Sequence, residues 1–304
     1  MWYALVKKSN QVLNLFDTIS SKNYITNVYG VSRSLFALGT FITLIFNSNE
    51  SLFAINQYKL KENLSLINEI NLFHLFDYEG LYISKIISLV ILLLVIFGIY
   101  PRYTGILHWW VSVSFFNAGT IVEGGDQITA NVLFFLIPIT LMDNRKNHWI
   151  NSVNNNIYKN FTSYWIFQLI NLQIAVLYLQ AAVEKPFKVP EWVDGTAIYY
   201  WLNHNLFGLS SYLKPIINPL FDIPILLFCI NWGVIVFELI LFGAFFMEKK
   251  RKRQLLLFGI LFHLSIAIAF GLVSFFIAMS ACLIIYLCPK ENQFNFKEIK
   301  HGNN

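Results

Sequence analysis

Long apolar blocks alternate with short polar stretches along this chain, and the blocks lack the water-facing stripe of a helix in a soluble globule. A block that is apolar all round and about 20 residues long has lipid as its natural solvent. On that rule the pattern predicts eight helices, at 28–47, 84–100, 104–121, 127–143, 164–184, 220–247, 254–270 and 272–288. Tyr100-Pro101-Arg102 and Phe270-Gly271 read as tight hairpins, because proline and glycine punctuate helices. The expected fold is all-α: a polytopic membrane bundle at 28–288, flanked by an N-terminal segment at 1–27 and a solvated tail at 289–304. No solenoid-period repeat or Ser/Gly linker divides it.

Composition agrees with that reading. Of 304 residues, 56% are hydrophobic and 13% charged, against about 45–50% and about 25% in soluble domains. These proportions exclude a soluble enzyme, a disordered chain and a nucleic-acid binder. Cys229, Cys282 and Cys288 lie in apolar blocks without the spacing of metal or redox sites. The first apolar block follows Lys7, Lys8 and Lys22 and lacks a small-residue cleavage signal, so it reads as a retained span.

The net charge of +5 is distributed as membrane topology requires. One set of connections, with the two ends, holds 15 of the 22 lysines and arginines, including Arg102, Arg145, Lys146, Lys159 and the run Lys249 to Arg253. The opposite set holds 5: Lys59, Lys61, Lys185, Lys188 and Lys214. The positive-inside rule then puts both termini in the cytoplasm. The segment from Glu184 to Pro219, the stretch Glu123-Gly124-Gly125-Asp126 and an acidic loop carrying Glu50, Glu62, Glu69, Asp77 and Glu79 fall outside. The run from Glu248 to Arg253 reads as a topology determinant and little more.

Charges inside a span are costly, so such side chains face the bundle interior and pair there. Asn231 and Glu238, seven residues apart, share a stripe of the sixth helix; His263 lies mid-way along the seventh and Arg33 in the first. In the fifth helix Asn171, Tyr178 and Lys185 repeat along one face while Gln173, Gln180 and Glu184 occupy the opposite one, which predicts a helix enclosed by its neighbours and stopped by Pro186. Trp192, Tyr199, Tyr200 and Trp201 suit a headgroup layer. Each candidate has two readings. Lys185 is either a desolvated base or a chain snorkelling to the interface. Glu238 either takes part in chemistry or bonds Asn231 or a basic partner; His263 is either a reacting group or a satisfied interhelical hydrogen bond. Glu123 and Asp126 either present two carboxylates to a pocket mouth or form a hairpin in which Asp126 caps the next helix.

The motifs Phe116-Asn117, Gly124-Gly125-Asp126, Phe134-Phe135-Leu136-Ile137-Pro138, Tyr178-Leu179-Gln180-Ala181-Ala182-Val183-Glu184-Lys185, Trp192-x-Asp194-Gly195-Thr196-Ala197, Phe237-Glu238-Leu239 and Phe262-His263-Leu264 occur in this order. Together they resemble the HTTM superfamily, the membrane bundle of the vitamin-K-dependent gamma-glutamyl carboxylase. The opening Val28-Tyr29-Gly30-Val31-Ser32-Arg33-Ser34-Leu35-Phe36-Ala37-Leu38-Gly39-Thr40 is similar to the bacterial sporulation-delaying protein B family.

That resemblance implies a multi-pass protein of the bacterial plasma membrane that matures a secreted antimicrobial peptide. Its implied partners are the lipid bilayer, a secreted peptide precursor and a small sporulation-delaying protein A-like protein encoded nearby, with no nucleic acid. The carboxylase parallel places a catalytic lysine on Lys185, with a reduced quinone as the implied cofactor; Glu184 stands where that enzyme has a second basic residue. The site residues expected are Lys185, His263 and Glu238 for chemistry, and Asn117, Glu123, Asp126, Tyr178, Gln180, Trp192 and Asp194 for the substrate, without a metal. The alternatives are a quinone-dependent carboxylase or oxidoreductase with a lysine base, and a non-enzymatic immunity factor or channel. Neither H-E-x-x-H nor G-x-S-x-G occurs, so no residue is nominated for peptide cleavage.

Overall fold

A computed structural model describes residues 13–62, 69–150, 156–205 and 208–294, with the side chains of 60–62 left aside. Lys7, Lys8, Lys297 and Lys300 of the charge tally, and the side chains of Lys61 and Glu62, therefore lie outside the described residues. The helices are α1 (Asn27–Phe46), α2 (Asn49–Leu52), α3 (Ile55–Glu62), α4 (Leu81–Ile96), α5 (Pro101–Ala118), α6 (Gly124–Met142), α7 (Ile157–Lys188), α8 (Pro190–Val193), α9 (Ala197–Leu202), α10 (Lys214–Phe221), α11 (Pro224–Gly243), α12 (Lys249–Phe270) and α13 (Val273–Leu287). Residues 13–20 are also helical. The described residues contain one isolated β-bridge, Ile99 with Asn147, and no strand.

The protein is an all-α membrane bundle. Six helices are long and apolar enough to cross a bilayer: α1, α4 with its leading turn, α6, α7, α11 with its trailing turn, and α12. The two remaining long elements are α5, whose 18 residues include Arg102 and His108, and α13, an apolar helix of 15 residues.

Small residues explain how α13 comes to the centre, packed on α1, α6, α7 and α12. Lipid gives no hydrophobic reward for joining helices, so close backbone approach has to supply the attraction. A Cβ on Gly39 of α1 would stand 3.3 Å from the Ser274 carbonyl oxygen, and one on Gly125 of α6 3.0 Å from the Phe275 Cα. The α13 residues Ile277–Leu287 are nearly all buried. Hydrogen bonds mark one end of the bundle: Thr26 Oγ1 donates to the Lys290 carbonyl, Arg145 to the Thr26 carbonyl, and Lys249 pairs with Glu291. At the other end Lys85 Nζ donates to the Asn47 carbonyl and Ser274 Oγ to Glu123. These are called the basic end and the acidic end below.

The structure corrects five expectations. First, Pro186 does not stop α7, which continues to Lys188 and ends at Val189, the residue before Pro190. Proline removes one amide donor, whereas the residue preceding a proline is pushed out of the helical region, and here Val189 is extended. Second, α7 is not enclosed: Gln180 is exposed and Glu184 half-exposed, and Gln180, Glu184 and Lys188 satisfy one another on the surface. Third, α4 ends at Ile96, four residues early, because Gly98 and Tyr100 take positive φ and the chain turns onto Asn147. Fourth, the tail is not simply solvated: Lys290 is buried, and Asn27 holds Phe294 by exchanging two hydrogen bonds with its backbone. Fifth, the run from Glu248 to Arg253 does more than set topology, since Lys249 pairs with Glu291 and Lys252 lies over the Tyr286 ring.

Candidate functional site

Helices α7 and α11 pack along each other and bring the Tyr178 and Lys185 face of one against the Asn231 and Glu238 stripe of the other. Lys185 Nζ donates to both carboxylate oxygens of Glu238 at 2.6 Å and to the Ala181 carbonyl at 3.1 Å. The amine therefore folds back into the bundle rather than reaching for headgroups. Its side chain keeps 21% of its surface exposed, against 9% for Glu238. The Trp192 ring lies 5.4 Å from the ammonium, within cation–π range.

Asn231, fully buried, sets that ring in place. Its Nδ2 donates to the Trp192 carbonyl at 2.8 Å and its Oδ1 accepts from the Ile198 amide at 3.4 Å, binding α8 and α9 to α11. The intervening turn needs Gly195, whose φ is +78° and whose Cβ, if it had one, would strike the Phe228 ring at 2.4 Å. Below the ion pair, Tyr178 OH and His263 Nε2 share a hydrogen bond at 3.0 Å, while His263 Nδ1 is buried without a partner among the described residues. The sequence-predicted residues Lys185, Glu238, Trp192, Tyr178 and His263 thus form one polar assembly.

Glu123 and Asp126 lie elsewhere, at the start of α6. Each carboxylate accepts the other residue's amide, a reciprocal cap, and Ser274 Oγ donates to Glu123 at 2.9 Å. They line a half-open cleft of about 280 Å³ with Thr43, Asn47 and Ser51, walled by apolar side chains such as Ile42 and Phe46. The capping reading is the one this arrangement shows. Asn117 turns back to the Val113 carbonyl of its own helix, Gln180 faces outward to Glu184, and Asp194 is exposed at the end of α8. None of these three joins the lysine assembly.

A reduced quinone presents two hydroxyl groups and needs acceptors and a neutral base for their protons. Here the Lys185 amine is spent on Glu238 and Ala181, and Tyr178 on His263, which leaves the His263 Nδ1 as the one orphan of the assembly. As arranged the residues do not fit that cofactor, because Lys185 Nζ donates to three acceptors and has no lone pair to take a proton. Among the described residues no His, Cys, Asp and Glu group could hold a metal ion.

Residues 25–290 match the HTTM domain family. The chain belongs to the HTTM family. It is 34% identical over 299 residues to the uncharacterized protein YitO of Bacillus subtilis (strain 168), covering 94% of each chain. It is 35% identical over 275 residues to the sporulation-delaying protein SdpB of the same organism, covering 89% of this chain and 84% of that one. No solved structure matches it.

This HTTM chain has a second polar centre, at the basic end, which sequence reasoning touched only through Arg33. Asp143, just after α6, accepts from Arg145 Nε at 2.8 Å and Nη2 at 2.7 Å and from the Tyr29 hydroxyl. Burial alone would lower the Arg145 guanidinium, but the hydrogen bonds with Asp143 hold it above its ordinary value. His148 is fully buried in the same loop. Burial, with Arg33 and Arg145 nearby, pushes its imidazole down to about 2, so it is neutral. Arg33 Nη1 lies 3.3 Å from His148 Nδ1, and His148 Nε2 lies 2.9 Å from Ser34 Oγ. Arginine has only donors, so Nδ1 accepts and the proton sits on Nε2. Asp143, Arg145 and His148 within six positions after an apolar block are the signal that was available in the sequence.

Proposed function

We propose that this protein acts in the maturation of a secreted antimicrobial peptide at the plasma membrane of a bacterium. The observation that carries the proposal is its 35% identity to the sporulation-delaying protein SdpB over 89% of the chain. In this reading the bundle spans 28–288, the flanks 1–27 and 289–304 lie in the cytoplasm with the other basic loops, and the acidic end faces outward, where an exported precursor would arrive. Its partners are that precursor and a small sporulation-delaying protein A-like protein.

The lysine assembly supports this assignment physically. Lys185 is a cation with part of its surface accessible, held by Glu238 and capped by an aromatic face. A peptide carbonyl can take one of the Lys185 Nζ–H bonds while the other holds Glu238, so no buried charge is left unpaired. Lys185 and Glu238 are the proposed reacting or gripping groups, with His263 and Tyr178 beneath them and Trp192 covering the amine. The Glu123 and Asp126 cleft is a second place for the precursor to rest.

The test is deletion of the gene in a producer strain and mass spectrometry of the secreted peptide. Loss of the mature product and accumulation of precursor are expected. Complementation with Lys185→Ala or Glu238→Gln should restore a membrane-inserted protein but not the product. A mature peptide of unchanged mass and amount in the deletion strain overturns the proposal.

A further inference from the structure

The side chain of Arg33 is fully buried, and among the described residues no carboxylate forms an ion pair with it. Among the described residues Asp143 is the carboxylate whose charge reaches Arg33, and Asp143 is already bound to Arg145 and Tyr29. With His148 neutral, Arg33, Arg145 and Asp143 leave one positive charge sealed inside the bundle. An uncompensated buried charge is strongly destabilising, as is breaking a buried ion pair.

The hydrogen bonds around Arg33 are also incomplete on one side. Nη1 and Nη2 are used on His148 and on Thr104 Oγ1, the latter at 2.7 Å, but Nε has no partner. Thr104, His108 and Ser112 follow one another at four-residue spacing and therefore share a face of α5. His108 is fully buried with neither ring nitrogen partnered, and Ser112 Oγ, 2% exposed as a residue, is unpartnered too. His108 is close enough to feel the charges of Arg33 and His148. Orphaned donors on two neighbouring elements, beside an excess positive charge, specify what is needed there: a negative charge that accepts hydrogen bonds.

We infer that a small monovalent anion of halide size binds between Arg33 Nε and the His108 ring, at the basic end of the bundle. One negative charge balances the cluster. A phosphate headgroup would bring two acyl chains and require an opening to lipid, which a fully buried Arg33 and His108 do not provide. Water would satisfy the donors but leave the charge uncompensated. The inference is independent of the peptide-maturation reading, since it involves different residues.

The test uses the purified full-length protein in nanodiscs, at constant pH and ionic strength, with chloride replaced stepwise by gluconate, a much larger anion. A melting temperature that rises saturably with chloride is expected. Crystals grown with bromide should show an anomalous peak beside Arg33 Nε. His108→Phe keeps the arginine and should weaken the apparent chloride affinity at least tenfold; Arg33→Gln should abolish the response. If Arg33→Gln does not fold, His108→Phe and the bromide peak decide the matter. Identical melting in chloride and gluconate, a chloride response unchanged in His108→Phe, or a site holding only water overturns the inference.

Discussion

Replacing Lys185 with methionine should cost more than replacing both Lys185 and Glu238 with apolar residues. The single change leaves the Glu238 carboxylate, whose side chain is 9% exposed, without its cation. Removing one member of a buried pair costs about 3–5 kcal/mol, and a charge near a helix centre about 2.5–3.5 kcal/mol on insertion scales. Lys185 is 21% exposed, so water reaches its place and the lower end applies, about 2–3 kcal/mol. Glu238→Leu leaves an amine that still has the Ala181 carbonyl and the Trp192 face, and should cost about 1–2 kcal/mol. The double variant Lys185→Met with Glu238→Leu should lie within about 1 kcal/mol of the parent, since apolar replacements of such pairs are close to neutral. The assay is a double-mutant cycle on unfolding in mixed micelles, with peptide maturation measured in the same strains. Additivity to within about 0.5 kcal/mol would refute the coupling. Normal maturation by the double variant would reduce the pair to a structural feature and remove it from the proposed site.

Three further outcomes are expected. Gly105→Ala would place a Cβ 2.1 Å from Thr140 Oγ1 and 2.5 Å from its Cβ, so α5 and α6 must part and stability should fall by about 1–3 kcal/mol in a thermal melt. Gly233→Ala, with nothing within 4 Å, is the control and should melt at or above the parent temperature. Burial, helped by Lys252, pushes the Lys290 amine down to about 7 from its ordinary 10.5, while Cys288 and Glu291 oppose the change. Between those values the unfolded chain binds the extra proton, so stability should climb as pH rises from about 7 towards 10.5; Lys290→Met should flatten that slope in melts at pH 7 and 9. Truncation after residue 288 loses the hydrogen bond from Thr26 and the two with Asn27, each worth about 0.5–1.5 kcal/mol, and should lower the melting temperature.

The long helices were legible as apolar blocks, and six of them have the length and polarity that crossing lipid imposes. Their order survives in the structure, and so do the punctuation at Tyr100-Pro101 and the left-handed Gly271. The short helices α8 to α10 were not legible. They are only four to eight residues long, and α8 and α9 are held by tertiary bonds to Asn231 that no local pattern announces. Within the lysine assembly, seven-residue spacing on α7 and α11 identified the right faces, while the partner of each side chain depended on how the two helices pack. The same spacing rule put Gln180 and Glu184 on a second face, correctly, but gave no means of telling a surface ladder from an interior one. The Arg33 centre escaped because Arg33 and His108 lie far in sequence from the run of Asp143, Arg145 and His148. It takes three elements, α1, α5 and the loop after α6, to make them neighbours.

The two polar centres differ in the property that decides use. Around Lys185 every charge has a partner, and part of the amine meets solvent, so an incoming peptide group can replace a bond and be replaced in turn. Around Arg33 the bonds tie α1 to α5 and to the loop holding His148, and the residues are sealed, so nothing large can exchange there. The Gly30 contact reinforces that seal, since a Cβ there would lie 2.9 Å from the His148 ring. A membrane protein that handles an exported peptide needs one centre that opens and another that keeps the helices in register while it does. On the proposed function, the different accessibility of the lysine- and arginine-centred clusters would give the first task to Lys185 and Glu238 and the second to Arg33 and His148.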